Sequence, residues 1–261
     1  MAMDRAKRVI YEQNPLLEVI LQVSFPKILS INAREPADFQ DAIRAEYPVY
    51  RTVFEDEHMF TFSANENTLF PPIIQQQQHK NHEFITEDGQ YKINLVDGFI
   101  ALSTVNYTRW EDMLSHFENP MRQLLSIYRP AYFERVGLRY VDVFSRSKLG
   151  VQDKSWQELI EPVCLGAMCS LDENKIIANA TDVSYLLDDG TSQVKVHAGL
   201  GNVRNDPEPV FIIDSDFIHV ENIKTDDFYR IVDYLHSASG QFIRSAITET
   251  LHNAMKPEDL K

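Results

Sequence analysis

The sequence contains few of the features that mark membrane or secreted proteins. No apolar run approaches the roughly 20 residues that a membrane helix needs. The basic residues near the start are followed by Glu12, Asn14 and Pro15 instead of an apolar segment, which argues against a signal peptide. We therefore expect a soluble cytoplasmic protein that does not associate with a membrane.

Cysteine is almost absent, since the 261 residues include only Cys164 and Cys169. Neither residue has a His or a second Cys at the spacing of a zinc site. The apolar residues around both predict two buried thiols. A cysteine content this low is typical of a reducing compartment, and we predict no metal ion.

Motifs that would assign a reaction are also missing. There is no G-x-S-x-G nucleophile sequence, and Gly199-Leu200-Gly201 lacks the third glycine and the following helix of a phosphate-binding loop. The eight histidines are scattered along the chain, and we interpret His79 and His82 as part of a solvated loop. The sequence predicts no cofactor and favours a non-enzymatic protein, although an enzyme with unrecognised residues stays open.

The charge is strongly negative and unevenly distributed. The chain has 25 basic and 39 acidic side chains and a net charge of −14. Residues 1–150 hold 16 basic and 20 acidic side chains, whereas residues 151–261 hold 9 and 19. This balance disfavours direct binding to a nucleic-acid backbone, which needs basic surface. The acidic second half suits a basic protein partner or mimicry of a nucleic acid.

The pattern of turns and helices predicts an α+β fold with a mostly antiparallel sheet. Asp88-Gly89, Asp97-Gly98 and Asp189-Gly190 are hairpin signals between short β-branched and aromatic runs. Helices are expected at residues 36–47, 108–128, 155–166 and 225–255, and a long loop at 65–81. The helix at 108–128 has a capping box at Thr108 and Glu111, and Pro120 predicts a kink or a break within it.

Strands followed by a long amphipathic helix occur twice, which suggests two similar halves. We place them at residues 1–148, with a kinked helix and an R-x-G-L-R-Y strand, and at 149–261, which is acidic and ends in a long helix. At about 1.5 Å per residue, a straight helix over 225–255 would be about 46 Å long. It either packs on its own sheet, which we favour, breaks near Gly240, or forms a homodimer with a second chain.

Two arginines and two aspartates are the candidate ligand-binding residues. Arg135 and Arg139 share one face of a strand, with Gly137 between them leaving room for a ligand. Such a pair could clamp a phosphate or a carboxylate. Asp214 and Asp216 share a face of another strand, and the four residues could instead form two ion pairs across a sheet.

Three ordered segments carry a resemblance to a known family. They are residues 14–19 (NPLLEV) with Phe25 at the end of the strand, residues 135–141 (RVGLRYV), and residues 213–216 (IDSD) followed by Leu235-His236 and by 242–248 (FIRSAIT). Together they resemble a sporadically distributed, functionally unassigned family of roughly 250-residue prokaryotic proteins. The resemblance implies no catalytic residues. Sporadic distribution implies genes that move horizontally, as defence and toxin–antitoxin genes do.

These observations favour a non-enzymatic binding or interaction protein that belongs to a mobile defence or toxin–antitoxin locus. The alternative is a sensor of a small anionic ligand or nucleotide that uses Arg135 and Arg139.

Overall fold

The structure is a computed structural model that describes residues 9–56, 78–203 and 208–259. It has eleven described strands, all paired antiparallel, and they are β1 Val9–Tyr11, β2 Leu16–Ser24, β3 Val49–Asp56, β4 Gln78–Ile85, β5 Tyr91–Val96, β6 Phe99–Thr104, β7 Phe133–Phe144, β8 Ala180–Leu186, β9 Gln193–Asn202, β10 Pro209–Ile223 and β11 Pro257–Asp259.

Seven α-helices accompany these strands: α1 Leu29–Ala33, α2 Ala37–Ile43, α3 Trp110–Ile127, α4 Trp156–Leu159, α5 Pro162–Leu165, α6 Phe228–Ala246 and α7 Glu249–Ala254. Strands and helices are therefore both present, and the sheet is antiparallel. The predicted α+β class is confirmed. No helix within the described ranges is long and apolar enough to cross a membrane.

Nine strands form one continuous sheet in the order β3-β4-β5-β6-β2-β7-β10-β9-β8. At its centre β2 pairs with β7, with Leu21 opposite Leu138. The last strand before each long helix, β6 and β10, lies on the outer side of that central pair. Both proposed halves thus contribute to a shared sheet, and the boundary near residue 148 stays a prediction.

One face of the sheet carries the core, and the other holds the charged residues. In β7 the even-numbered residues Val136, Leu138 and Tyr140 are buried, whereas Arg135 and Arg139 lie on the opposite face and are partly or largely exposed. This alternation follows from the twofold repeat of a strand. Helices α3 and α6 complete the core on the buried face, where α6 contacts both β7 and β10.

Helix α3 continues through Pro120 without interruption, so the predicted break is wrong. A proline within a helix cannot donate to the carbonyl four residues earlier, which here belongs to His116. The Tyr47 hydroxyl donates to that carbonyl at 2.7 Å and replaces the missing bond. The predicted capping box is also wrong, because Arg109 is the N-cap residue and the Thr108 hydroxyl donates to Asp112 instead.

The predicted helix over residues 225–255 is interrupted at Ile247 and not at Gly240. Ile247 is extended and forms a bridge to Ile160, which in turn splits the predicted helix at 155–166 into α4 and α5. The Thr248 side chain then accepts the Leu251 amide and caps α7. The bridge between Ile160 and Ile247, which are far apart in the sequence, therefore accounts for the interruption of both predicted helices. Most of the predicted loop at 65–81 lies outside the described residues, although β4 already begins at Gln78.

Candidate functional site

The four charged residues singled out from the sequence meet on the outer face of the sheet. Arg135 Nη2 lies 2.9 Å from an Asp216 carboxylate oxygen. Arg139 makes a bidentate contact with Asp214, at 2.7 Å from Nε and 2.5 Å from Nη2. The expected ion pairs across the sheet are therefore present. They run diagonally, because Arg139 is directly opposite Asp216 in the β7–β10 register.

Gly137 makes room for Arg135 and not for a ligand. A Cβ placed at Gly137 would lie 2.5 Å from Nη1 of Arg135. The guanidinium of Arg135 therefore crosses directly over Gly137 to reach Asp216. The prediction that this glycine leaves space for a ligand is corrected accordingly.

The predicted ligand-binding residues are Arg135, Arg139, Asp214 and Asp216. In the structure each arginine is already paired with one of the two aspartates. Hydrogen bonding to Asp214 raises the pKa of Arg139. Burial raises the pKa of Asp216 more than the nearby arginines lower it. Ligand binding here stays a prediction, and an anion would have to displace an existing partner.

The opposite face of the sheet borders a large cavity. Its volume is about 970 Å³, which is within the range of sites for small molecules. The floor is formed by β7 and β10, and the walls by α3 and α6. Strands β1 and β11 pair with each other in a separate two-stranded ribbon, the β1–β11 ribbon, which lies at one end. Apolar and aromatic side chains make up much of the lining, including Leu114, Ile243 and Met255.

Asp142 is a buried carboxylic acid on the floor of this cavity. It is 5% exposed, and its neighbours across the sheet are Leu16 on β2 and Ile213 on β10. Asp142 accepts no hydrogen bond from any residue that the structure describes. Burial raises the pKa of Asp142 from 3.8 to about 7. A buried carboxyl group without a partner is unfavourable for folding and is therefore a candidate for ligand binding.

Aromatic rings surround the cavity near Asp142. The Tyr140 hydroxyl lies 2.9 Å from Nδ1 of His236, and the His236 ring stacks on Trp110 with centroids 4.4 Å apart. Trp110 Nε1 donates to Asp233 at 3.0 Å. Tyr107 packs edge-on against Tyr140, with ring centroids 6.1 Å apart. These contacts hold the rings in fixed orientations along the cavity wall.

The β1–β11 ribbon covers one end of the cavity. The hydroxyl of Tyr11 on β1 lies 2.8 Å from Nδ1 of His252 on α7. Burial raises the pKa of Tyr11 to about 12 and lowers the pKa of His252. Arg244 at the same end forms an ion pair with Glu249.

Sequence reasoning did not identify Asp142. The signal was an acidic residue at an even position of β7, in register with Val136, Leu138 and Tyr140, which are all buried. A charged residue on the apolar face of a strand is unusual without a partner, and this pattern can be read from the sequence.

Other predicted features are corrected by the structure. His82 does not lie in a solvated loop, because it is fully buried on β4, with Nδ1 2.9 Å from the Tyr50 hydroxyl. Cys164 is buried as predicted, and Cys169 is exposed. Among the residues that the structure describes, no three His, Cys, Asp or Glu side chains are grouped to hold a metal ion.

The fold and the cavity define an α+β protein with a nine-stranded antiparallel sheet, a separate two-stranded ribbon and a site of small-molecule size between the large sheet and the helices. No protein-family model and no curated protein matches the chain. Among solved structures, it is similar to the di-domain ARO/CYC StfQ from the steffimycin biosynthetic pathway, with 9% sequence identity over 88% of this chain and 97% of that chain. The TM-score of 0.17 is too low for this similarity to support any inference.

Proposed function

We propose that the protein is a non-enzymatic binding protein that holds a small, largely apolar molecule in the cavity between the sheet and helices α3 and α6. The observation that carries this proposal is the cavity of about 970 Å³ with the buried carboxyl group of Asp142 on its floor, which has no hydrogen-bond partner within the described ranges. Proteins ordinarily fill or satisfy such a space, because voids and unpaired buried charges destabilise the fold.

The anion sensor that uses Arg135 and Arg139 is the second candidate. Its support is weaker, because each guanidinium contacts a carboxylate at 2.9 Å or less. A role in a defence or toxin–antitoxin locus, and a basic protein partner or a second copy of the chain, stay predictions.

A neutral fluorescent probe tests the proposed cavity directly. N-phenyl-1-naphthylamine fluoresces more strongly in an apolar environment, so we expect a saturable rise in its emission at a stoichiometry of one per chain. Gly240→Phe is the blocking variant, since Gly240 borders the cavity and a Cβ there meets no atom within 4 Å. The added ring is expected to weaken probe binding about tenfold or more by occupying that space.

Ser245→Phe is the matched control, because Ser245 is an exposed position of the same helix and does not border the cavity. It should leave probe binding unchanged. If the probe does not bind, or if Gly240→Phe and Ser245→Phe bind it equally well, the proposed cavity function is wrong.

A further inference from the structure

The charge and chemistry of the cavity indicate which class of molecule it accepts. Asp142 is 5% exposed, borders the cavity and has no hydrogen-bond partner among the described residues. The residues opposite it on the adjacent strands, Leu16 and Ile213, have apolar side chains. A ligand that carries a hydrogen-bond donor or a positive charge would complete this site.

The two arginines among the described residues that line the cavity already have carboxylate partners. Arg244 pairs with Glu249, and Arg109 lies 3.6 Å from Asp112. Asp142 thus remains as a negative group for which the protein supplies no counter-charge within the described ranges. A cation inside the cavity would provide it.

The aromatic rings that line the same cavity as Asp142 suit a cation on an apolar body. Tyr107, Tyr140 and Trp110 all border the cavity. Aromatic faces attract cationic nitrogen, most strongly where water is excluded, and apolar walls bind the rest of such a molecule. A carboxylate beside aromatic rings favours an organic amine over an acid or a neutral compound.

We propose that the ligand carries a protonated nitrogen on an apolar or aromatic body, and that the Asp142 carboxylate binds this nitrogen within the cavity. The inference rests on the proposed binding function and specifies its ligand class. Binding joins two ions without any covalent step. The carboxyl group must be ionised to bind the amine, so binding is coupled to the loss of its proton.

Other titratable groups face the same space and must be separated from Asp142. Burial raises the pKa of Tyr11 to about 12 and that of Tyr140 well above its usual value, so both stay neutral near pH 7. Cys164 lies outside the cavity lining, and burial raises its pKa to about 12, so it also stays neutral. The other titratable or charged groups among the described residues that line the cavity are His236, Asp233 and Arg244 on α6, His252 on α7, Arg109 and Glu111 at α3, and Tyr107. A variant at position 142 separates its contribution from theirs.

Three compounds with one aromatic body and different head groups test the proposal. They are 2-(1-naphthyl)ethylamine, 2-(1-naphthyl)ethanol and 3-(1-naphthyl)propanoic acid, each used to displace N-phenyl-1-naphthylamine at pH 8. We expect the amine to bind about tenfold tighter than the alcohol, and the acid to bind most weakly, since a charge-assisted hydrogen bond is stronger than a neutral one. Asp142→Asn should reduce the amine affinity about tenfold and leave that of the alcohol within about twofold.

The pH dependence provides a second, independent measurement. Because the pKa of Asp142 is about 7, the dissociation constant of the amine should rise about tenfold from pH 8 to pH 6 in the native chain. In Asp142→Asn it should change only through the other groups, so the difference between the two profiles isolates Asp142. Circular dichroism confirms that the variant is folded.

The outcomes distinguish the two proposals. If the amine binds no tighter than the alcohol, or if Asp142→Asn retains full amine affinity, the cation assignment is wrong while the cavity function stands. Tighter binding of the acid at pH 6 would instead indicate that a protonated Asp142 donates to an anionic ligand, which also overturns the assignment. If none of the compounds displaces the probe from the cavity, the ligand class is wrong. If the probe itself does not bind, both proposals fail.

Discussion

Replacing Asp142 by Asn is expected to make the stability of the protein less dependent on pH. In the native chain the pKa of Asp142 rises from 3.8 in the unfolded reference to about 7 in the folded protein. The folded state therefore holds this proton more tightly than the unfolded state does. The contribution of Asp142 to stability is highest below pH 3.8, falls as the pH rises, and levels off above about pH 7.

The magnitude follows from the size of the pKa shift. A shift of about three units corresponds to about 4 kcal/mol of lost stability once the carboxyl group is fully ionised, at 1.36 kcal/mol per unit. About 2.5 kcal/mol of that loss falls between pH 5 and pH 8. Asn has no proton to lose, so the difference in the free energy of unfolding between variant and native chain should increase by about 2.5 kcal/mol over this interval.

Urea denaturation followed by circular dichroism at pH 5, 6, 7 and 8 measures this difference. Comparison at each pH cancels the contributions of the other acidic groups, and any fixed effect of burying the amide is the same at every pH. Parallel pH profiles for the two proteins would refute the reasoning, because they would mean that Asp142 is paired or hydrated in the folded state.

Two further substitutions test packing described above. Gly137→Ala should displace the Arg135 guanidinium from its carboxylate partner and lower the free energy of unfolding by about 1 kcal/mol or less, because the pair is partly exposed. Urea denaturation should show that Gly137→Ala costs clearly less in the Arg135→Ala background than in the native chain. Equal costs in the two backgrounds would contradict the described contact between Gly137 and Arg135. Tyr47→Phe should cost about 1–3 kcal/mol by leaving the carbonyl of His116 unsatisfied. In the Pro120→Ala background, urea denaturation should show a smaller cost for Tyr47→Phe, because the introduced alanine has a backbone N–H that can donate to the same carbonyl. An equal cost in both backgrounds would show that the Tyr47 hydroxyl does not replace the missing helix hydrogen bond.

Turn residues and the alternation of side chains along strands were sufficient to predict the hairpins and the antiparallel sheet. The turns at Asp88-Gly89 and Asp97-Gly98 join β4 to β5 and β5 to β6, and a run of such hairpins is sufficient to predict an antiparallel sheet. The ion pairs between β7 and β10 followed from residues that alternate along two strands.

Features that depend on distant contacts could not be predicted in this way. The helix ends at Ile247 because Ile160 pairs with it, and nothing in the apolar pattern around residue 247 indicates that partner. Asp142 is unusual only once β7 is known to have a buried face covered by α6. Its alternation with apolar residues is visible in the sequence, but its burial without a hydrogen-bond partner among the described residues is a property of the folded chain.

The ribbon at the end of the cavity gives the chain a nearly circular path. Val9 is paired with Asp259, and Lys256 lies 2.7 Å from Glu12, from which it is separated by 244 positions. A short linker could therefore join these two strands into a hairpin while a new start is opened at an exposed turn elsewhere, because circular permutation is tolerated where the ends are adjacent. In such a permutant β11 and β1 would be consecutive strands of one hairpin at the end of the cavity.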